Sequence, residues 1–342
     1  MKSIIRFSIA LLIAVIAATP AFSARAQGTN CYGLADADCQ LYYGALAPDN
    51  MAKFASFAMD YTLAAKIKTT GATAQDADIK VEGSGSFSGD PKSFTAANPS
   101  AGLSSLLFSN VIKANVTSNG SPMAGDVEVR VTGGNAYFNS AMFTQGKWQF
   151  VPLSAATGGM SGMTGGAGAA ASDPALMKSF MDVLASPGVI KAEAKDGPEV
   201  DGQATKQFTF TLDAVALTKA PELRPLLKQA LAAQAKGAPV DDQQVEAVAT
   251  LAGSALKDST FAVSWLVGTS DKIFHGVGLN IVLKIDDSTA KLLKMDGPVD
   301  ATVDFNIQVS KVGEPVTVEV PADAAPFSMG GMSPDAMATP AK

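Results

Sequence analysis

Histidine, cysteine and charge are what this chain has least of. One histidine (His275) and two cysteines (Cys31 and Cys39) occur in 342 residues, and only 17% of the chain is charged. A single histidine cannot build a histidine metal cluster, and no cysteine or carboxylate group stands at metal-ligand spacing, so no metal or cofactor is expected. His275 follows Lys272-Ile-Phe at the start of a strand. A general base there is conceivable, but a hydrogen-bonded or solvent-facing strand residue is the simpler reading. The Gly-x-Ser-x-Gly elbow, the P-loop and the dinucleotide fingerprint are all missing. Asp241-Asp242 reads as a helix start, where carboxylates favour the positive dipole end, and Asp286-Asp287 as a strand end. An enzyme is not expected.

Long apolar runs are also scarce. The one strong run, Phe7-Ser-Ile-Ala-Leu-Leu-Ile-Ala-Val-Ile-Ala-Ala18, follows Lys2 and Arg6 and ends before Pro20 and Ala24-Arg25-Ala26. That order reads as a secretory signal peptide over residues 1–26. The run is shorter than the ~20 residues that span a bilayer, and no later run is longer. The expected mature chain is therefore exported, to the cell envelope or beyond, and soluble after cleavage near Ala26. Removing Lys2, Arg6 and Arg25 takes the formal charge from −6 to −9, which excludes nucleic acid as an expected partner, because phosphate binding needs a basic surface.

What the chain does have is strict alternation, the mark of strands with one buried face. Phe57, Met59, Tyr61, Leu63, Ala65 and Ile67 share one side; Asp60, Thr62, Lys66 and Lys68 share the other. The pattern recurs in Val127-Glu-Val-Arg-Val131, Phe208-Thr-Phe-Thr-Leu212, 261–267, 277–285 and 299–309, with a short final strand expected over Val316-Thr-Val-Glu-Val320. Strands of about ten residues, apolar on one side only, argue for an antiparallel sheet wrapped around something and against a parallel α/β sheet. Fewer segments read as helix. Asp36 or Asp38 could cap one through Leu41, Tyr42 and Leu46, and Asp173-Pro174 opens a second that Pro187-Gly188 stops. Residues 221–235 and 241–256 read as two more. Helices inserted between hairpins predict an α+β fold. Residues 154–172, rich in Gly, Ala, Ser and Met, carry no core pattern, and residues 327–342 read as a loose tail; a single domain over 27–326 lies between leader and tail.

Gly146-Lys-Trp-Gln-Phe-Val-Pro-Leu153, preceded by Val127–Val131, Gly133-Gly134 and Ala136-Tyr137-Phe138, resembles the "GKW...VPL" strand of exported LolA/LolB-like proteins. Asp201-Gly202-Gln203 before Phe208–Asp213, and Gly313-Glu-Pro-Val-Thr-Val-Glu-Val-Pro-Ala322, are similar to strands of the LppX/LprG-type lipid carriers. The likeness covers roughly residues 36–325. It departs from the family in residues 154–172 and in having no lipobox. The resemblance implies a strongly curved antiparallel half-barrel whose concave face is covered by helices. It also implies an apolar cavity that takes lipid acyl chains or an acylated molecule, with transient contact to a membrane surface or a lipoprotein. Phe57, Met59, Tyr61, Trp148, Phe150, Phe208, Phe210 and Trp265 are the expected lining, unless they form solid core. Met160 and Met163, followed by Met177 and Met181, form a possible lid, since methionine adapts to variable apolar surfaces. The alternative is an envelope sensor or interaction module with the same fold and a filled core.

The two cysteines discriminate between a tethered and a free protein. Cys31 is preceded by Gly28-Thr29-Asn30, far from the end of the apolar run, so it is not placed for lipid attachment. Two cysteines alone in an oxidising compartment predict a Cys31–Cys39 disulfide. In the chain-entropy model such a short loop contributes about 2–3 kcal/mol.

Overall fold

The structure, a computed structural model, describes residues 31–71, 74–89, 105–153, 174–234, 239–293 and 295–327. The expected leader, most of the expected tail and the Gly/Met-rich stretch 154–172 lie outside the described residues. Alternation in the sequence becomes one twelve-stranded sheet. Its first six strands are β1 (Ser56–Thr69), β2 (Asp76–Ser88), β3 (Leu107–Ser118), β4 (Ser121–Thr132), β5 (Asn135–Ser140) and β6 (Gln149–Pro152). The others are β7 (Ile190–Asp196), β8 (Thr205–Leu212), β9 (Thr260–Gly268), β10 (Phe274–Ile285), β11 (Val299–Ser310) and β12 (Ala325–Pro326).

The order β12-β6-β5-β4-β3-β2-β1-β11-β10-β9-β8-β7 makes two meanders that meet where β11 pairs β1. Every pairing is antiparallel except the two-residue contact of β12 with β6, and the sheet is open. Tight turns set the first meander. Asn119-Gly120 joins β3 to β4 and Gly133-Gly134 joins β4 to β5, each pair with both φ angles positive. That is the two-residue hairpin geometry whose twist matches the strands, and it favours Asn and Gly because neither is penalised there.

Register fixes which side chains share a face. Val127, Ile112, Gly83, Tyr61, Ile307, Val277, Trp265 and Phe208 stand in one continuous row from β4 to β8. Alternate residues along each strand keep to that face, which is apolar; the intervening residues make the other, polar face. Gly83 has a specific reason. A Cβ there would run into the Tyr61 ring, which crosses β2 to exchange hydrogen bonds with the buried Asn110 side chain on β3, with oxygen–nitrogen and oxygen–oxygen distances of 3.0 and 3.1 Å.

Seven α-helices are described: α1 (Asp36–Ala45), α2 (Pro48–Met51), α3 (Pro174–Leu184), α4 (Ala214–Lys219), α5 (Leu223–Gln234), α6 (Asp242–Leu256) and α7 (Asp287–Leu292). Asp241 closes a capping box with Gln244 at the start of α6, and Asp213 and Asp286 cap α4 and α7 through their side chains. Such caps satisfy N–H groups that the first helical turn leaves unpaired. Asp286-Asp287 thus opens a short helix beyond its strand. The N-cap of α1 is Ala35 with no side-chain bond, so neither Asp36 nor Asp38 caps it. Asp38 instead meets the Lys206 ammonium at 2.5 Å, tying α1 to β8.

The expected strand over Val316–Val320 does not form. β11 already has β10 on one side and β1 on the other, so the chain leaving it finds no free ladder. It runs to the far edge, where Arg130 donates to the Glu319 carbonyl at 3.3 Å, and pairs only at β12. Phe327, the first residue of the expected tail, donates its N–H to the Phe150 carbonyl at 2.9 Å and packs on Phe138.

Candidate functional site

The apolar face is treated differently at its two ends. Over β7–β10 it is packed, and β11 joins only through half-buried Val303. Phe180, Val183 and Leu184 of α3 join Leu217, Leu223, Leu227, Val245 and Ala249 of α4–α6 in a buried cluster that reaches Ile190 and Leu212 on the sheet. Tyr42 of α1 sits among Phe208, Phe210 and Phe274, with ring centroids 5.5, 4.9 and 6.1 Å away. Phe274 in turn contacts Trp265 at 5.0 Å. A third cluster joins Ala214, Phe261 and Ile281 to Leu256 and Val303. Burial there pushes the Tyr32 hydroxyl up to about 12 and raises that of Tyr42 too, with neighbouring Tyr43 adding to both. A phenolate in an apolar cluster would lose its hydration.

The disulfide fastens this packed end. Cys31 and Cys39 are bridged, with Cα atoms 5.5 Å apart. Cys39 is buried in α1, and the Tyr32 carbonyl accepts from the Ala192 N–H at 3.0 Å, so the clasped segment lies along the edge strand β7.

Over β1–β4 the same face carries long strands whose apolar residues, apart from buried Ala65 and Val131, are mostly half-buried. Phe57, Met59 and Leu63 of β1, Ile79, Val81 and Phe87 of β2, Phe108 and Ile112 of β3, and Val127 of β4 are all neither fully buried nor fully exposed. Phe57 stacks on Phe87 at 5.2 Å. None of the three buried clusters includes a residue of β1–β6. The face ends at Met123, 56% exposed, beside the turn that carries Met142 and Phe143, 52% and 73% exposed.

The residues singled out from the sequence therefore separate into three groups. Phe57, Met59 and Tyr61 belong to the half-buried end of the apolar face. Phe208, Phe210 and Trp265 belong to the packed cluster around Tyr42, with Phe208 fully buried. Trp148 and Phe150 are on the other side of the sheet: Phe150 pairs Tyr137, which pairs Arg130 on the polar face. The Arg130 guanidinium lies 4.8 Å from the Trp148 ring and grips Glu128. A single alternation step puts these two aromatics opposite Phe57 and Tyr61. Met181 packs partly buried against the α3–α6 cluster. Met177 lies in α3, while Met160 and Met163 fall outside the described residues.

His275 is 3% exposed, its Nε2 2.8 Å from an Asp271 carboxylate oxygen. Asp271 also accepts from the Ile273 N–H at 3.0 Å, so the pair braces the β9–β10 turn. Among the described residues no group of three metal-ligating side chains gathers, and no helix is long and apolar enough to cross a membrane.

A hollow of about 570 Å³ opens on the polar face, spanning β3, β2, β1, β11, β10, β9 and β8 in sheet order. Of the eight aromatic and methionine residues expected to line a cavity, only Tyr61 borders it. Its mixed lining, polar side chains with Val111, Pro198 and Leu266 among them, had no motif to announce it. The residues are ordinary outward positions of separate strands, and only the register brings them together. No protein-family model matches the chain, and no curated protein matches it.

Proposed function

We propose that this is an exported, non-catalytic binding protein that holds lipid acyl chains, or an acylated molecule, against the apolar face of β1–β4. The observation that carries the reading is the contrast along one face: dense core over β7–β10, half-buried Phe57, Leu63, Val81 and Ile112 over β1–β4. Soluble monomers rarely leave an extended apolar area exposed, and where they do it commonly marks an interaction site. Each methylene buried there contributes about 0.8 kcal/mol, and the half-buried phenylalanines and methionine offer the adaptable surface that acyl chains need.

The long antiparallel meanders and the helices between them also support a LolA/LppX-like half-barrel as the parent architecture, with transient membrane or lipoprotein contact for loading and release. Export rests on the leader pattern and is consistent with the disulfide, a bond that persists in oxidising compartments.

The filled half favours a second reading, an envelope sensor or interaction module. Native mass spectrometry of the purified mature protein, with analysis of its organic extract, separates the two. A carrier shows acyl-bearing species at defined stoichiometry and binds a fluorescent fatty acid once delipidated. A lipid-free extract together with no probe binding would replace the carrier with the sensor.

A further inference from the structure

The polar hollow has an order of its own. One register row crosses it as Ser84, Asp60, Gln308, Gly276, Leu266 and Gln207. The adjacent row on the same face reads Lys113, Glu82, Thr62, Asn306, Gly278 and Ser264. All of these except Gly276 line the hollow. It is therefore a trough two residues wide that runs across the strands rather than along them. At its middle the two glycines remove side chains, and the Ser264 hydroxyl and Asn306 amide lean over Gly278, where a Cβ would collide with both.

The chemistry of the trough is specific. Its central groups are amides and hydroxyls, which donate and accept hydrogen bonds alike. Thr62, Ser84, Gln207, Ser264 and Gln308 make no side-chain hydrogen bond to any described residue. Glu82 and Lys113 stand directly opposite each other in register yet form no ion pair with each other. The charged end carries Asp60 and Glu82 against Lys113 alone, on a chain of net charge −6, which disfavours an anionic ligand. β1, β10 and β11 are interior strands with neighbours on both sides, so an extended peptide has no free ladder to join. The volume falls within the range of small-ligand sites, about 300–1,000 Å³.

We infer that this trough is a binding site for a neutral, hydroxyl-rich glycan chain laid across the strands. Strand spacing of about 4.8 Å is close to the length of one sugar ring, so successive rings meet the polar pairs of β2, β1 and β11, the side-chain-free backbone of β10 and then Ser264 and Gln207. The site is on the opposite face from the acyl surface, and either can fail without the other.

The test is an NMR titration of the isotopically labelled mature protein with cellohexaose, chitohexaose and maltohexaose. At least one should give saturable shifts confined to the two rows, with the side-chain amides of Asn306 and Gln308 among the most affected. Both residues are exposed, so the double variant Asn306→Ala/Gln308→Ala should keep its melting temperature. It should bind that glycan at least tenfold more weakly and bind a fluorescent fatty acid as wild type does. Absence of shifts with all three sugars, shifts elsewhere on the surface, wild-type affinity in the variant, or tighter binding of a sulfated hexasaccharide would each overturn the assignment.

Discussion

Phe208 and Phe87 occupy the same face of one sheet, yet they live in different surroundings. Phe208 on β8 is fully buried under Tyr42. Phe87 on β2 is half-buried and stacks on Phe57. The strands do not account for the difference, since both follow the same alternation. What differs is what lies over them among the described residues: α1 and α3–α6 contribute their apolar sides to β7–β10, whereas none of the three buried clusters reaches β1–β4. An apolar strand face is thus a demand for a partner, which helices meet at one end of the sheet and which the carrier reading assigns to an acyl chain at the other.

The largest expected effect tests that difference directly. Phe208→Ala should cost about 3–5 kcal/mol, the usual range for emptying a packed aromatic site, whereas Ile112→Ala should cost only about 1–2 kcal/mol because its side chain starts half-exposed. Equal losses in denaturant unfolding would mean that the two halves are equally filled. Next in size is the clasp. Replacing Cys31 and Cys39 together by Ser should lower stability by about 2–3 kcal/mol. Hydrogen exchange should rise in α1 and β7 and leave β1–β4 unchanged; protection lost uniformly would show that the packed half is not a local unit.

A third test lies within the half-buried end. Gly83→Ala drives a methyl into the Tyr61 ring and should cost about 1–3 kcal/mol, the usual range for overpacking. Adding Tyr61→Ala should cost less than the sum of the two single changes, because the clash is then gone. Strict additivity in the double-mutant cycle would sink the account of that glycine.

The smallest effect sits at the seam between β10 and β11. The Ser288 hydroxyl and the Thr289 N–H bond the Asp286 carboxylate and hold its pKa down at about 2. A lowered folded-state pKa means that its contribution is present above the unfolded value, near ~4, and is lost as pH falls through about 2. Asp286→Asn keeps an acceptor for the cap but removes the titration. The stability difference between the two proteins should therefore be flat above pH ~4 and change below it; a difference independent of pH would remove Asp286 from the acid response.

Much of this architecture was legible in the residues. The alternating runs at 57–67, 208–212 and 299–309 became β1, β8 and β11 because strands need one apolar side and nothing nearby competed. β2 was hidden, since Gly83 and Gly85 interrupt its apolar positions for packing reasons that appear only when β1 and β3 lie alongside. Val316–Val320 misled in the opposite way: alternation reports a face, but says nothing about whether an edge is free to pair. The candidate lining was legible only in part. Residue type marked Phe57 and Trp148 as equals, whereas one alternation step through β5 and β6 put them on opposite faces.

The carrier reading puts acyl chains on the apolar face of β1–β4. A doxyl-labelled fatty acid bound to methyl-labelled protein tests this by proximity broadening. Strong broadening of the Leu63, Ile79, Val81 and Ile112 methyls is expected, while those of Val183, Leu184 and Val267 stay sharp. Broadening centred on the packed helices, or none at saturating probe, would contradict it.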